Sequence, residues 1–348
     1  MRFEVSQVLD AIERRLGTDP ALSAGLIDVG EMMYCADLDG AQGRPANLLR
    51  LGLVIDALAR QVGEEQVYAY CIVDKSLLSN QDLTSNERMV MRRWADDGLV
   101  EVVQGAAQRV TEVADLAGLP VISRSIPATW APLPGAGGAV LNPRNSIPHG
   151  PSQVGQQLMA RWWRCPDPEC GAFGPARRTT GQPVPRLRQA VPVCPRHDAP
   201  LIDNGPRPPQ QVLAVRVDGI IRIRFVVTAA APVVVGRAPE QGVGVVLGQW
   251  LSEEARAKVS RSHVQVALTP QGINVTDLSM NGTTIRLGGA SDGELVLSRG
   301  AQRLLGPSDL VEIFPGVEFG RLGALSSTRS LDVSSVVAEA PTMIFKPS

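Results

Sequence analysis

The sequence of 348 residues contains no long apolar segment and no secretion signal. No run of about 18 apolar residues occurs, so the sequence predicts no membrane-spanning helix and no membrane partner. The first residues, MRFEVSQVLDAIERRL, include acidic side chains and lack the apolar core of a signal peptide. We therefore expect a cytoplasmic protein.

The chain also lacks an excess of charge of either sign. Its net charge of -1 gives no general attraction to nucleic acid or acidic membranes, so binding to such polyanions would need a local basic patch. Lysine is scarce and occurs only at positions 75, 258 and 346, so arginine carries almost all of the positive charge.

Five segments differ in their patterns, and the length favours two or three domains. Residues 1–125 alternate strand and helix patterns, which predicts an α/β domain with a mostly parallel sheet. Residues 126–157 are rich in Pro and Gly and form a predicted linker. Residues 211–322 alternate with period two between close turn signals, which predicts an all-β sandwich. Residues 323–348 read as a flexible tail.

The five cysteines are an odd number, and three of them lie between 165 and 194. In the cytoplasm this favours metal binding over disulfides. Cys165 and Cys170 lie in CPDPECG, and Cys194 and His197 lie in CPRH. Four such ligands suit one tetrahedral Zn²⁺, and the short segment between the pairs offers little core of its own. We predict a small zinc ribbon over residues 158–204 with a structural metal; the alternative is three buried thiols and a surface histidine.

Arginines and two tryptophans surround the predicted ribbon, in RWWR, ARRTTG and PRLRQ. Basic residues beside aromatic ones suit the binding of single-stranded nucleic acid. We expect Trp162 and Trp163 to pack against the ribbon, and nucleic acid is not the partner that we favour.

The stretch AKVSRSHVQV places Ser260 and His263 where a half-buried strand begins. It suits a surface turn, a catalytic Ser/His pair or half of a binding site. A hydrolase would also need a partner acid and an oxyanion hole. Gly236-Arg237 precedes this stretch and Asn281-Gly282 follows it within DLSMNGT. This spaced set resembles the forkhead-associated (FHA) domain over residues 211–320.

The FHA resemblance implies a β-sandwich whose loops bind phosphothreonine peptides. Arginine is suited to a phosphate dianion, a serine hydroxyl adds a donor, and an asparagine amide reads a peptide main chain. The implied phosphopeptide-binding positions are Arg237, Lys258, Ser260, Arg261, Met280 and Asn281. The implied structural positions are Gly236, His263, which braces the loops by hydrogen bonding, and Gly282, which suits a turn with positive φ.

Two positions depart from the FHA pattern. Met280 stands where the family commonly has a polar residue, often Thr or Ser. The stretch between Arg237 and Ser260 is longer than usual, and LSEEARAKV within it predicts an inserted helical turn with Ser252 as its N-cap.

The layout of the N-terminal segment resembles the PIN-like, NYN-type nuclease fold. Working members hold Mg²⁺ or Mn²⁺ with acids at the carboxyl ends of parallel strands. The implied catalytic acids here are Asp28, Glu87 and Asp115, with Glu31 and Glu112 as further candidates. Ser125 stands where an active member would usually have an acid. The capping of helices and surface solvation are the plainer roles for Asp28 and Glu87.

Together these features favour a non-enzymatic adaptor that reads phosphothreonine on a substrate of a Ser/Thr kinase. Thr342, in EAPTMIFKPS with Phe345 three residues on, is a candidate phosphosite, so the ligand is another protein or the protein's own phosphorylated tail. The alternative, of a different class, is a metal-dependent RNA nuclease that its FHA domain targets.

Overall fold

The computed structural model describes residues 2–39, 45–123, 151–174, 181–240, 243–288 and 293–327. The chain divides into two compact units, Met1–Pro209 (the first unit) and Gln210–Ser348 (the second unit). Most of the predicted linker and tail, with Thr342 and Ser125, lie outside the described residues.

The first unit begins with the predicted alternation of strands and helices. Its helices are α1 Arg2–Glu13, α2 Val29–Met33, α3 Arg50–Val62, α4 Ser85–Asp96, α5 Ala106–Ala117 and α6 Gln153–Met159, with 3-10 helices at Ala36–Leu38 and Lys75–Ser79. Its first strands are β1 Leu16–Gly17, β2 Ser23–Asp28, β3 Tyr68–Asp74, β4 Glu101–Val103 and β5 Val121–Ile122.

These five strands form one parallel sheet, as the sequence predicts. The order is β1-β3-β2-β5. Strand β4 pairs with the last three residues of β3, which follow the two that pair with β1. Alternate strand residues face opposite layers because successive side chains of a strand point to opposite faces. Ile27 and Cys71 join the core under α1 to α4, whereas Leu26 and Ile72 join the core under α5 and α6.

The remainder of the first unit is the Cys/His segment, which we define as residues 151–209. Its strands are β6 Arg161–Arg164, β7 Arg186–Arg188, β8 Val191–Val193 and β9 Ile202–Pro206, in the hairpin-like pairs β6-β9 and β7-β8. Helix α6 begins within the last residues of the predicted linker. Leu158 and Val184 are buried in the same apolar cluster as α5, so this segment packs on the α/β sheet.

The second unit is built almost entirely from strands. They are β10 Gln210–Val217, β11 Ile220–Thr228, β12 Val233–Gly236, β13 Val243–Val246, β14 Val264–Thr269, β15 Gly272–Asp277, β16 Thr283–Leu287, β17 Gly293–Leu297, β18 Gln302–Leu304, β19 Leu310–Phe314 and β20 Val317–Gly320. Two short helices accompany them, α7 Glu253–Lys258 and α8 Leu322–Ser327.

The strands form two sheets with a shared apolar core. One has the order β11-β10-β20-β19-β16-β17 and the other β13-β12-β14-β15-β18. Period-two burial is clear in β15, where every second residue is buried. Valine and isoleucine from both sheets, with Phe225 and Phe319, fill the interior. This is the β-sandwich that the sequence predicts.

The helical insertion before Ser260 is confirmed. Helix α7 begins after Ser252, whose hydroxyl accepts a hydrogen bond from the Ala255 N–H at 3.2 Å. Among the described residues, no helix combines the length and apolar character that crossing a membrane requires.

Candidate functional site

Three loops meet at one end of the sandwich, and they carry most of the residues that the FHA resemblance singles out; Gly236 ends β12 and Lys258 ends α7 beside them. We call residues 237–240, 259–263 and 278–282 the site loops. They lie together because β12 ends where β14 begins and β14 begins where β15 ends, as the pairs Val235 with Val264 and Val264 with Asp277 show.

His263 joins two of the site loops from inside the fold. Its side chain is fully buried, Nδ1 accepts a hydrogen bond from the Ser260 N–H at 3.1 Å, and Nε2 lies 3.2 Å from the Gly282 carbonyl oxygen. A carbonyl only accepts, so Nε2 carries the proton and the ring is neutral. Burial lowers the pKa of His263 below its ordinary value, which keeps the ring in this state.

Gly236 permits the close approach of the first two site loops. A Cβ at this position would lie 2.1 Å from the Arg261 carbonyl oxygen, so any side chain would force the loops apart. The backbones are joined there, because the Arg237 N–H donates to Ser260 O at 3.1 Å and the Ala238 N–H donates to Arg261 O at 3.2 Å. The start of the Arg237 side chain is therefore fixed beside Ser260.

Asp277 shapes the third site loop, and sequence reasoning assigned it no role. The side chain is fully buried; Oδ1 accepts hydrogen bonds from the Ser279 N–H at 3.0 Å and from the Thr283 hydroxyl at 2.8 Å. Ser279 Oγ in turn accepts from the N–H of Gly282, whose φ is +83°. A buried carboxylate that accepts short-range bonds holds a turn firmly. In the sequence, the motif DLSMNGT was the signal from which this role of Asp277 could have been found.

The outward side of the site loops is polar and positively charged. Arg237, Lys258 and Arg261 are exposed there, and Arg261 pairs with Glu240 at 2.5 Å. Asn281 Nδ2 donates to Lys258 O at 2.7 Å, which ties the third loop to the end of α7. The arrangement offers charged donors and a hydroxyl to an anion in front of the loops.

Met280 is the departure from this polar character. Its side chain is 77% exposed, its backbone N–H donates to Ser260 Oγ at 3.4 Å, and its sulfur lies 3.3 Å from Arg299 Nη1. The backbone of Met280 therefore stands next to the Ser260 hydroxyl, and its side chain adds no donor of its own.

Several solved FHA domains are similar to part of this chain. The FHA domain of human APLF, in complex with an XRCC1 bisphospho peptide, is 15% identical, covers 31% of this chain and 97% of its own, and has a TM-score of 0.24. The MEK1 FHA domain is 22% identical over 32% of this chain and 86% of its own, with a TM-score of 0.24. The FHA domain of CT664 from Chlamydia trachomatis is 19% identical over 32% and 94%, with a TM-score of 0.24. No protein-family model and no curated protein matches the sequence.

The four predicted metal ligands come together in the first unit. The ligand atoms of Cys165, Cys170, Cys194 and His197 all lie within 4.8 Å of one another. Cys170 Sγ and Cys194 Sγ are 3.7 Å apart, and His197 Nδ1 is 3.4 Å from Cys165 Sγ and 3.7 Å from Cys194 Sγ. Tetrahedral zinc with its usual bond lengths has edges of about 3.6–3.8 Å. The residues therefore fit a tetrahedral metal ion.

The surroundings of this Cys/His cluster also suit a metal. The Phe173 N–H donates to Cys170 Sγ at 3.3 Å, and a hydrogen bond with Cys194 lowers the pKa of Cys170 to about 5, so a thiolate is favoured there. His197 Nε2 lies 3.4 Å from Asp167 Oδ2. A carboxylate on the second ring nitrogen is the common way to orient a histidine ligand.

The acids implied by the nuclease resemblance have separate surroundings. Glu87 is buried and forms a capping box with Thr84 at the start of α4, and it also accepts from the Leu48 N–H at 3.1 Å. Thr84 is the N-cap of this helix. Glu87 thus has the capping role that its sequence context also allowed.

Asp28 ends β2 and caps α2 by accepting from the Glu31 N–H at 3.2 Å. Burial raises the pKa of Asp28, and the charges of Glu31 and Asp74 raise it further. Asp115 is exposed on α5, and Glu112 binds Arg109 and the Leu187 N–H. Within the described ranges, the Cys/His cluster is the one group of three or more potential ligands that converges, so these acids are not brought together.

A buried polar network in the first unit was not foreseen from the sequence. Arg109 Nε donates to Glu101 Oε1 at 2.6 Å, and Tyr70 donates its hydroxyl proton to the other oxygen of Glu101. Arg109 also donates to the carbonyl of Val184 and the Val184 N–H donates to Tyr70 Oη at 3.3 Å. These bonds fix the Cys/His segment against the sheet.

Proposed function

We propose that the second unit is an FHA-type module that binds phosphothreonine peptides, and that the protein is a non-enzymatic adaptor. The observation that carries this proposal is the junction of the three site loops, in which buried His263 bonds to the backbone of Ser260 and of Gly282, beside the exposed Arg237. Such bracing holds charged donors in place before a ligand arrives, which lowers the entropic cost of binding.

The chemistry of the loops divides between phosphate and peptide. Arg237 supplies a charged fork of N–H groups for the phosphate dianion, and the Ser260 hydroxyl and the Lys258 ammonium add further donors. Asn281, at the edge of the third loop, supplies an amide that both donates to and accepts from a peptide main chain. The ligand is then an extended peptide that carries phosphothreonine.

The partner that follows from this chemistry is a cytoplasmic protein phosphorylated by a Ser/Thr kinase. The protein's own tail is a second source of the same chemistry, through phosphorylated Thr342. A nuclease role would require acids that converge on a metal, and the capping contacts of Glu87 and Asp28 supply the simpler role for those two residues.

Binding of the full chain to a phosphothreonine peptide library that includes residues 337–347 tests the proposal. We expect binding that requires phosphate and falls at least tenfold in Arg237→Ala, since a charged hydrogen-bonding partner is lost. Arg286→Ala is the matched control, because Arg286 is a partly exposed arginine outside the site loops whose ion pairs are with Glu294, Glu312 and Glu318. Equal loss in both variants, or binding without phosphate, would contradict the proposal.

For the first unit we propose a structural zinc ion held by the Cys/His cluster. Three sulfurs and one imidazole leave no position open for a substrate, which is the donor set of a structural centre. The ion would join the turn at Cys165–Cys170 to the turn at Cys194–His197, and so stabilise a segment that has only a small apolar cluster of its own.

A further inference from the structure

The first unit contains a cavity of about 640 Å³ between the α/β sheet and the Cys/His segment. One wall is formed by the 3-10 helix after β3, by α4 and by the end of β4. The other wall is formed by β7 and the loop that contains His197. Small-molecule sites in proteins have volumes of roughly 300–1,000 Å³, and this cavity falls within that range.

The charge of this cavity differs from that of the whole chain. Five cationic side chains line it, namely Lys75, Arg92, Arg186, Arg188 and Arg196, against two acids, Asp96 and Asp198. The chain as a whole has a net charge of -1, so the positive charge is concentrated here and is not a property of the sequence at large. We call this space the basic cavity.

Two of the five cations are neutralised by the two acids. Arg188 pairs with Asp198 at 2.6 Å, and Arg196 pairs with Asp96 at 3.0 Å while it also donates to the Ala95 carbonyl at 3.1 Å. The bonds of Arg196 cross from the Cys/His segment to α4 and, with those of Arg109 to the same segment, hold the two walls at a fixed separation. The Arg188 pair lies within one wall.

Among the described residues, the other three cations have no ion pair. Arg92 donates through Nε to the Leu78 carbonyl at 3.0 Å, and neither it nor Lys75 nor Arg186 has an acidic partner within the described part of the chain. Like charges around one space repel one another, and an anion placed among them relieves that repulsion. Arginine and lysine are also the side chains that best bind phosphate oxygens.

We infer that the basic cavity binds a small molecule with two or more phosphate groups, such as a nucleoside triphosphate. Three uncompensated cations on two walls match several phosphates better than one. The same cavity is lined by Leu78, Val102 and Val103, which provide an apolar surface beside the charges. A strand of nucleic acid fits less well, because none of the described lining residues is Trp, Tyr or Phe, the side chains on which single-strand sites mostly stack bases.

Calorimetric titration of the full, metal-loaded chain tests this inference with three probes: inorganic triphosphate, ATP and a ten-nucleotide single-stranded RNA. The double variant Lys75→Gln/Arg186→Gln removes one cation from each wall. Arg14→Gln/Arg60→Gln is the matched control, because these exposed arginines lie in the same unit and outside the cavity lining. A third variant, Arg237→Ala, shows whether any phosphate binding occurs at the site loops of the second unit. Failure of the cavity proposal is therefore distinguishable from failure of the proposed peptide binding.

We expect triphosphate, ATP or both to bind, at least tenfold more weakly in Lys75→Gln/Arg186→Gln and unchanged in the control and in Arg237→Ala. Binding of triphosphate alone assigns recognition to the phosphates, and binding of ATP alone adds a contribution from the nucleoside. The inference is overturned if neither binds, or if both double variants weaken binding equally. Binding of the RNA alone, lost in Lys75→Gln/Arg186→Gln, would replace it with a nucleic-acid interface.

Discussion

The imidazole of His263 accepts a hydrogen bond from the Ser260 backbone N–H at 3.1 Å while its other nitrogen faces the Gly282 carbonyl at 3.2 Å. One buried ring therefore fixes the positions of two site loops at once. The bond to Ser260 requires an unprotonated Nδ1, so protonation of the ring would remove it.

This relationship predicts a dependence of stability on pH. The pKa of His263 is lowered by burial, so in acid the unfolded chain binds the proton more readily than the folded one. The stability that the neutral ring contributes is complete above about pH 6.5, the ordinary histidine pKa, and is lost as the pH falls below it.

Urea denaturation of the native chain and of His263→Gln across this pH range measures the effect. We expect the variant to be less stable by about 2 kcal/mol at pH 7.5 because buried polar groups lose their partners, and the difference to shrink towards pH 5. A difference that does not change with pH would disagree with this role of the ring.

The exposed Met280 predicts a gain of function. Met280→Thr places a hydroxyl beside Ser260 Oγ, where the methionine N–H already donates at 3.4 Å. One added hydrogen bond to the ligand is worth about 0.5–1.5 kcal/mol, so we expect roughly three- to tenfold tighter binding of phosphothreonine peptides. Met280→Leu, which adds no donor, should leave the affinity unchanged; an equal gain in Met280→Leu would contradict the prediction.

The Cys/His cluster predicts about one zinc ion per chain, bound by four ligands. Elemental analysis of the purified protein should find the zinc, and Cys194→Ser should lose it and unfold at lower temperature. Cys35→Ser is the control, since the Cys35 thiol donates to the Glu31 carbonyl at 3.2 Å and lies outside the cluster. The assignment would be disproved if the native protein contained no zinc, or if Cys35→Ser lost zinc while Cys194→Ser kept it.

The buried network of the first unit predicts a large cost for removing one charge. Glu101→Gln leaves the guanidinium of Arg109 buried with a weaker partner, and breaking such a pair costs about 3–5 kcal/mol of unfolding free energy. Glu240→Gln breaks a pair whose side chains are 62% and 65% exposed and should cost about 1 kcal/mol or less. Equal costs in denaturant unfolding would show that burial does not set the strength of these pairs.

Much of the fold could be predicted from the sequence because its signals are local. Period-two alternation marks a strand with one buried face, and β15 follows it residue by residue. Ser252 before two glutamates marks a helix start, and α7 begins there. The spacing of Cys165, Cys170, Cys194 and His197 predicted one cluster because each pair is close in the chain.

The remaining features depend on residues that are distant in the chain. Nothing near Glu87 in the sequence shows that its carboxylate accepts from the Leu48 N–H, a contact that joins the turn before α3 to the start of α4. Asp277 likewise has its role through burial at the base of a loop. A side chain's surroundings, and hence its charge state and partners, follow from packing.

The sequence by itself predicted the α/β and β-sandwich architectures and the Cys/His cluster, and it singled out candidate residues of the site loops, since periodicity and short motifs specify local backbone and chemistry. Only the tertiary structure decided that the Cys/His segment packs on the parallel sheet, through Arg109 and Val184, and that Lys75 and Arg186 face one cavity. Those residues meet because two apolar surfaces are buried against each other, and that burial brings together charges that the sequence keeps far apart.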